Sequence, residues 1–335
     1  MRSPYAHAWL PLARGALSVV GGRRLTILIY HRVHRETDAL FPGIPDARRF
    51  DEEMAWLGKM LRVLPLSEAI EMHHERRLPP RAGAITFDDG YADNADVALP
   101  ILKRHRLHAT FFVASGFLDG GRMWNDTIIE SVRRAPGTML DFTDLGLGKL
   151  SIATPQQRRS SIDALIRDAK YLTQGQRDER VRAIAARACA TLPTNLMMRS
   201  DQVRTMHRAG MEIGAHTVTH PILARLEWQE AQAEIAGGRM ALESLLGAKV
   251  TLFAYPNGKP GVDYGAEHVK IVRDLGFSAA LSTRAAPVDD ASDRYELPRF
   301  TPWGTSCPRF AADLLRTHVG HRLHAKVRSA GRDAY

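Results

Sequence analysis

Cysteine is scarce in this chain: Cys189 and Cys307 are the only two among 335 residues, and neither belongs to a Cys-x-x-Cys pair. That excludes a thiolate zinc site and a disulfide framework, and it favours a reducing compartment. Long apolar runs are missing too. The N-terminal stretch from Ala6 to Val20 is interrupted by His7 and Arg14 and falls short of the roughly 20 residues of a membrane span. It also lacks a basic leader and a small-residue cleavage site, so a cytoplasmic protein is expected. Acidic residues are the minority charge, 37 against 46 basic, for a formal +9. The basic residues are spread along the chain without any finger, helix-turn-helix or aromatic–basic RNA signature, so no nucleic-acid partner is expected. Only the tail, with Arg322, Lys326, Arg328 and Arg332, is dense enough for weak contact of the basic termini with an anionic membrane surface or polymer. Nothing in the pattern fixes an oligomeric state.

Against these absences, hydrophobic residues make up 44% and charged residues 25%, the balance of a globular protein that buries a core. Short apolar runs read as buried strands: Leu25 to Tyr30, Ala84 to Asp88, Ala109 to Ala114, Met211 to Ala215, Val250 to Tyr255 and Phe277 to Ser282. Between them, residues 50–61, 93–106, 201–209, 228–246 and 266–275 repeat apolar residues at three and four, with Gly210, Gly247 and Gly276 as stops. Strand–helix alternation implies a parallel α/β sheet, and about seven units close as a barrel or an incomplete barrel. The stretch 119–200 breaks the rhythm. It shows no convincing strand, while residues 155–172 and 177–192 look helical, so it reads as a helical insertion. The expected organisation is an extension over 1–24, a barrel over 25–305, and a C-terminal helix with a basic tail over 306–335.

Chemistry concentrates at three strand ends. Thr86-Phe87-Asp88-Asp89-Gly90 carries two adjacent carboxylates, which a continuing strand would point to opposite faces. Gly90 lets the backbone turn so that both can converge at the C-terminal mouth of the sheet. His216-Thr217-Val218-Thr219-His220 spaces two imidazoles by four residues; Pro221 disfavours helix at His220, placing the pair on a loop. A metalloprotease signature would need Glu where Thr217 stands. Two imidazoles and one carboxylate make a three-ligand set with an open position for water, as in catalytic zinc sites, and the second carboxylate is then free to act as a base. Phe253-Ala254-Tyr255-Pro256-Asn257-Gly258 ends a third strand with turn residues and would suit a substrate-contacting rim.

In order and context these three motifs resemble the polysaccharide deacetylase superfamily, carbohydrate esterase family 4, over residues 25–300. The resemblance implies a distorted (β/α)7 barrel with a divalent metal, usually zinc, and hydrolysis of N-acetyl groups on amino sugars. It makes Asp89, His216 and His220 the metal ligands and Asp88 the general base. Many members carry an arginine near the third motif, where this chain has Ala254 and none nearby. The segment Ile29-Tyr30-His31-Arg32-Val33 resembles the N-terminal Tyr-His motif of circularly permuted relatives, which makes His31 the candidate general acid. Arg299, in Glu296-Leu297-Pro298-Arg299-Phe300, is the candidate replacement for the missing arginine through a pair with Asp88. The backbone N–H of Tyr91 is the oxyanion donor that the family implies, and Trp124 and Trp303 are candidate sugar-stacking surfaces. The expected substrate is thus an N-acetylated saccharide or glycoconjugate. The rival readings are an amidase on a non-sugar amide, a catalytically inactive carbohydrate binder, and a glycosidase. The last is disfavoured because adjacent carboxylates seldom stand ~5 Å or more apart across a glycosidic bond.

Overall fold

The computed structural model describes residues 6–302 and 304–330. Helix α1 (Ala6–Gly21) leads into β1 (Thr26–Tyr30), α2 (Ala47–Met60), β2 (Arg62–Val63), α3 (Leu66–His74), β3 (Ala82–Phe87), α4 (Leu99–His105) and β4 (Thr110–Val113). The interruption follows as α5 (Trp124–Arg134), β5 (Met139–Phe142), β6 (Gly148–Ser151), α6 (Pro155–Lys170) and α7 (Gln174–Ala188). The alternation then resumes with α8 (Ser200–Arg208), β7 (Glu212–Ala215), α9 (Trp228–Leu246), β8 (Leu252–Ala254), α10 (Ala266–Asp274), β9 (Ala279–Leu281) and α11 (Cys307–Ala330).

The strands form a curled parallel sheet ordered β1-β3-β4-β7-β8-β9, with β2 alongside the start of β3. Its two edges meet on one segment. Leu297 exchanges hydrogen bonds with the β9 side (N–H to Ala280 C=O, 2.9 Å; C=O from Ser282 N–H, 2.8 Å), and Phe300 does the same with β1 (N–H to Ile27 C=O, 2.8 Å; C=O from Ile29 N–H, 3.0 Å). Residues 297–300 thereby span the open side of an incomplete (β/α) barrel, the expected fold class.

Strand alternation sorts the side chains. Tyr30, Phe87 and Phe111 occupy paired positions on β1, β3 and β4, and their rings stack outside the sheet at 5.4 and 4.8 Å between centroids, under α2 and α4. The opposite parity faces inward and includes the small residues Ala82, Ala84, Gly214, Ala254 and Ala279. The space they leave is filled by Phe112, whose ring lies so close over Gly214 that a Cβ there would sit 2.4 Å from it. In the helix expected over 93–106, the first part, Asn94–Ala98, is a π-turn that ends on the Leu99 N–H to Asn94 C=O bond. Pro100 has no N–H to give, so the ladder shifts by one residue.

The insertion differs from its expectation. Beside its helices it contains the antiparallel hairpin β5–β6. Met139-Leu140-Asp141-Phe142 alternates exposed and buried, but four residues of period two between helical stretches are too brief a pattern to register. The second helix also stops at Ala188 rather than 192, on a left-handed Cys189 (φ 49°). Leu40, Ile128, Phe142, Ile162, Leu165 and Ile184 bury one another in a core separate from that of the barrel. Trp303, Arg332 and the side chains of Arg322, Lys326 and Arg328 lie outside the described residues. Among the described residues, no helix is long and apolar enough to cross a membrane.

Candidate active site

Asp88 continues the inward parity of Ala84 and Thr86, and its N–H donates to Tyr30 C=O at 3.0 Å, which levels it with the end of β1. The chain then turns in the left-handed region at both Asp89 (φ 75°) and Gly90 (φ 89°). This breaks the alternation, so the two neighbouring carboxylates serve the same mouth. Glycine at 90 is required for a second reason: a Cβ there would meet Val113 Cγ1 at 3.0 Å.

Asp88 is 2% exposed and Arg299 1%. The guanidinium grips the carboxylate with two parallel bonds, Nη1 to Oδ1 at 2.6 Å and Nη2 to Oδ2 at 2.7 Å. Arg299 is itself fixed by Nε donating to Ser282 C=O (3.0 Å) and Nη1 to Thr86 Oγ1 (3.3 Å), and it rests 5.7 Å over the Phe112 ring. Burial by itself would push the Asp88 carboxyl up; the charge of Arg299, then that of His216, reverses this and holds it below the ordinary carboxylate range.

Asp89 faces the two histidines. Its Oδ1 lies 3.5 Å from His216 Nε2 and 3.3 Å from His220 Nε2, and the three ligand atoms all fall within 4.8 Å of one another. Because Ala254 C=O can only accept, the 2.7 Å bond from His216 Nδ1 fixes the proton on Nδ1 and turns the Nε2 lone pair toward Asp89. Despite its burial, which works the other way, His216 is held above the ordinary imidazole range by Asp89 and Asp88. Burial lowers His220 to about 4. The Asp89 carboxyl, which burial would raise, is driven well down by His216, His220 and His31.

The loop carrying the histidines is held from behind. Thr217 (φ 65°) and His220 (φ 54°) are both left-handed, consistent with a loop rather than a helix. Glu234 on α9 accepts from Val218 N–H (2.9 Å), Thr219 N–H (2.8 Å) and Thr219 Oγ1 (2.7 Å). Helix α9 approaches so closely that a Cβ on Gly238 would sit 2.6 Å from Thr217 C=O. The Gly237-Gly238 pair inside an otherwise regular helix was the sequence signal for this contact. Glu234 and the Ala254 carbonyl had none.

His31 follows β1 at the same mouth and is exposed; its charge acts on Asp88, Asp89 and His220. Among the described residues the Tyr91 N–H has no protein acceptor. The Tyr91 side chain is 4% exposed and donates its hydroxyl to Asp126 Oδ1 on α5 at 3.1 Å. Sequence reasoning missed Asp126, a lone carboxyl on the buried face of an amphipathic helix. Burial raises it to about 7, helped by the nearby charge of Asp89.

Three candidates for substrate contact are placed elsewhere. The Tyr255 ring is 0% exposed, stacked 3.8 Å on Tyr264, with its hydroxyl donating to Tyr295 C=O at 3.0 Å; it builds the wall instead of the rim, because the aromatic stack closes over it. Pro256 is buried beside it. Trp124 packs on the insertion core under the Arg177 guanidinium, 5.3 Å from its ring, so that face is not open to a sugar. Asn257 remains half-buried at the edge, left-handed at φ 58°, with its C=O accepting from Thr283 Oγ1 at 2.9 Å.

The family model described as polysaccharide deacetylase matches residues 75–136 and 172–280; the unmatched gap covers the hairpin and all of α6. Two solved structures share the fold. The deacetylase PplD of Streptococcus pyogenes, in complex with acetate, has a TM-score of 0.57 at 20% identity, covering 88% of this chain and 98% of that one. IcaB from Ammonifex degensii has a TM-score of 0.58 at 21% identity, with the same coverage of 88% and 98%. The Bacillus subtilis (strain 168) protein YxkH, which carries a provisional polysaccharide deacetylase name, is 20% identical over 278 residues, 82% of this chain and 70% of its own length.

Proposed function

Since the chain belongs to the polysaccharide deacetylase family, hydrolases of carbon–nitrogen bonds other than peptide bonds, we propose that it removes N-acetyl groups from amino sugars of an oligo- or polysaccharide with a divalent cation, zinc, held by Asp89, His216 and His220. The observation that carries this reading is the side-by-side pair of carboxylates, one clamped by an arginine and the other facing two imidazoles. Two nitrogens and one oxygen, converging with the His216 lone pair turned inward, fit a zinc ion with an open position. The bound cation would supply Lewis acidity and a water of lowered pKa.

The remaining work falls to this chain's own residues. Asp88 stays ionised at neutral pH, and each of its oxygens keeps a lone pair beyond the one given to Arg299. It therefore accepts the proton of the attacking water, in a fixed orientation. The Tyr91 N–H is aimed at the oxyanion that develops on the acetamide carbonyl, where one such donor typically contributes ~10²–10³-fold. His31, exposed at the mouth, hands a proton to the departing amine.

The test is Asp88→Asn. It should keep the bound metal by elemental analysis and lose at least ~10²–10⁴-fold in acetate release from N-acetylglucosamine oligomers; near-normal turnover would overturn the assignment. In the same assay His31→Ala should remove the alkaline limb of the pH–rate profile, and an unchanged bell would move the acid elsewhere.

A further inference from the structure

Beside the mouth lies a cavity of about 520 Å³, between the segment after β1 and the insertion. Its volume falls within the roughly 300–1,000 Å³ of clefts that hold ligands. It adjoins the cluster directly: Arg32, in its wall, follows His31, and the Arg32 guanidinium lies 4.5 Å over the ring of Tyr91, two residues from Asp89.

Four guanidiniums line this cavity, and they are not equally occupied. Arg133 is spent on the protein, bound to both oxygens of Asp38 (3.0 and 2.6 Å) and to Glu130 (2.9 Å). Arg158 is spent as well, on the carbonyls of Val132, Arg133 and Ala135 at the end of α5. Arg32 and Arg134 commit only Nε, to Asp93 and to Glu130, each at 2.8 Å. Among the described residues their terminal nitrogens have no acceptor. His34 in the same wall has a buried Nε2 without a partner. The carboxylates in the lining are already engaged, Asp38 by Arg133, and Glu130 by Arg133 at one oxygen and Arg134 at the other. The unpaired groups whose role is fixed are therefore the terminal N–H groups of Arg32 and Arg134, which are donors and offer no acceptor. A neutral sugar needs both; a ligand rich in acceptors and carrying negative charge suits this wall.

We propose that the cavity is a subsite for an anionic substituent, a carboxylate or a phosphate, on the glycan residue next to the one that is deacetylated. The proposal rests on the deacetylase reading above for the identity of the ligand as a glycan. It gives the insertion a task, since Arg134 and Arg158 come from it, and it makes the enzyme select acidic N-acetylated chains over neutral ones.

Equilibrium binding at fixed ionic strength tests this with four probes: hyaluronan tetrasaccharide, which is N-acetylated and carries carboxylates; chitotetraose, which is neutral; and inorganic phosphate and acetate as competitors. The metal-loaded protein should bind the hyaluronan fragment at least ~10-fold more tightly than chitotetraose, as one charge-assisted contact provides. Arg134→Glu should abolish that preference. Ala153→Trp, which fills the cavity from an exposed position in its lining and alters no charge, should do the same. Displacement of the hyaluronan fragment by phosphate more effectively than by acetate would assign the subsite to phosphate esters, and the converse to uronates. Equal affinity for the charged and neutral chains, or a preference that survives both substitutions, overturns the proposal. A charge preference lost in Arg134→Glu without acetate release from any saccharide would sink the deacetylase reading and leave the subsite standing. Acetate release with no charge preference would do the reverse.

Discussion

The two sides of the mouth are built from adjacent residues and are in opposite states. On one side Asp88 and Arg299 form a finished pair: both buried, bidentate, with the guanidinium further tied to Ser282 and Thr86. On the other, Asp89, His216 and His220 converge at 3.3–3.5 Å without good hydrogen bonds between them. The acidic neighbours Asp89 and Asp88 hold His216 above the ordinary imidazole range, as a cluster that favours positive charge does. A side chain whose needs are met by the protein is a tool held ready; a convergence of unmet lone pairs is a cradle. The structure separates these two roles within one Asp-Asp dipeptide.

Breaking the cradle should cost most. Asp89→Ala removes one of three ligands and should abolish metal uptake at micromolar zinc and reduce acetate release by ~10³-fold or more, with Asp88 and Arg299 still paired. Metal retained at wild-type stoichiometry in that variant would erase the distinction between the two sides. Breaking the tool should show up differently. Arg299→Gln leaves Asp88 buried without its cation, which costs about 3–5 kcal/mol of stability by thermal or denaturant unfolding. It also removes the charge that holds the Asp88 carboxyl down, so the acid limb of the pH–rate profile should move to higher pH while zinc binding persists. Loss of metal together with the limb shift would mean that the two sides are one network.

The smallest effect sharpens the boundary of the cradle. Asp126 sits at about 7, raised first by burial and then by the charge of Asp89. Between about pH 4 and 7 the folded protein keeps a proton on this carboxyl that the unfolded chain releases. Stability attributable to Asp126 is therefore present at the acidic end of that window and lost as pH rises through it. Asp126→Asn should flatten this slope, worth on the order of 2 kcal/mol between pH 5 and 8 in the metal-free protein. Loading zinc should shrink the slope in the wild type, because the cation offsets the charge on Asp89. A slope indifferent to zinc would place Asp126 outside the field of the cradle.

Much of this was legible along the chain because it is local. Apolar runs of five or six residues and glycine-stopped helices sufficed for a parallel α/β barrel. Asp-Asp-Gly and the His-x-x-x-His spacing singled out the residues that meet at the mouth, since the turn at Gly90 and the proline after His220 are properties of neighbouring residues. The hairpin Met139–Phe142 with Gly148–Ser151 escaped because four alternating residues carry little signal. Tyr255 was assigned to the rim because its stack on Tyr264, nine residues on, is invisible to strand-end reasoning.

Residue identity and spacing along the chain set which groups could do chemistry here, two carboxylates, three imidazoles and a spare arginine, and roughly where the strands bearing them end. Their states came from long-range contacts. Arg299 reaches Asp88 across 211 residues because residues 297–300 hydrogen-bond to both edges of the sheet. Gly214 lets Phe112 fill the barrel beneath that guanidinium, and burial turns Asp126 into an acid that titrates near neutrality. Spacing along a chain fixes which residues are available to a site, while the distance, dielectric and partner that set each one's charge arise from contacts between segments far apart in sequence.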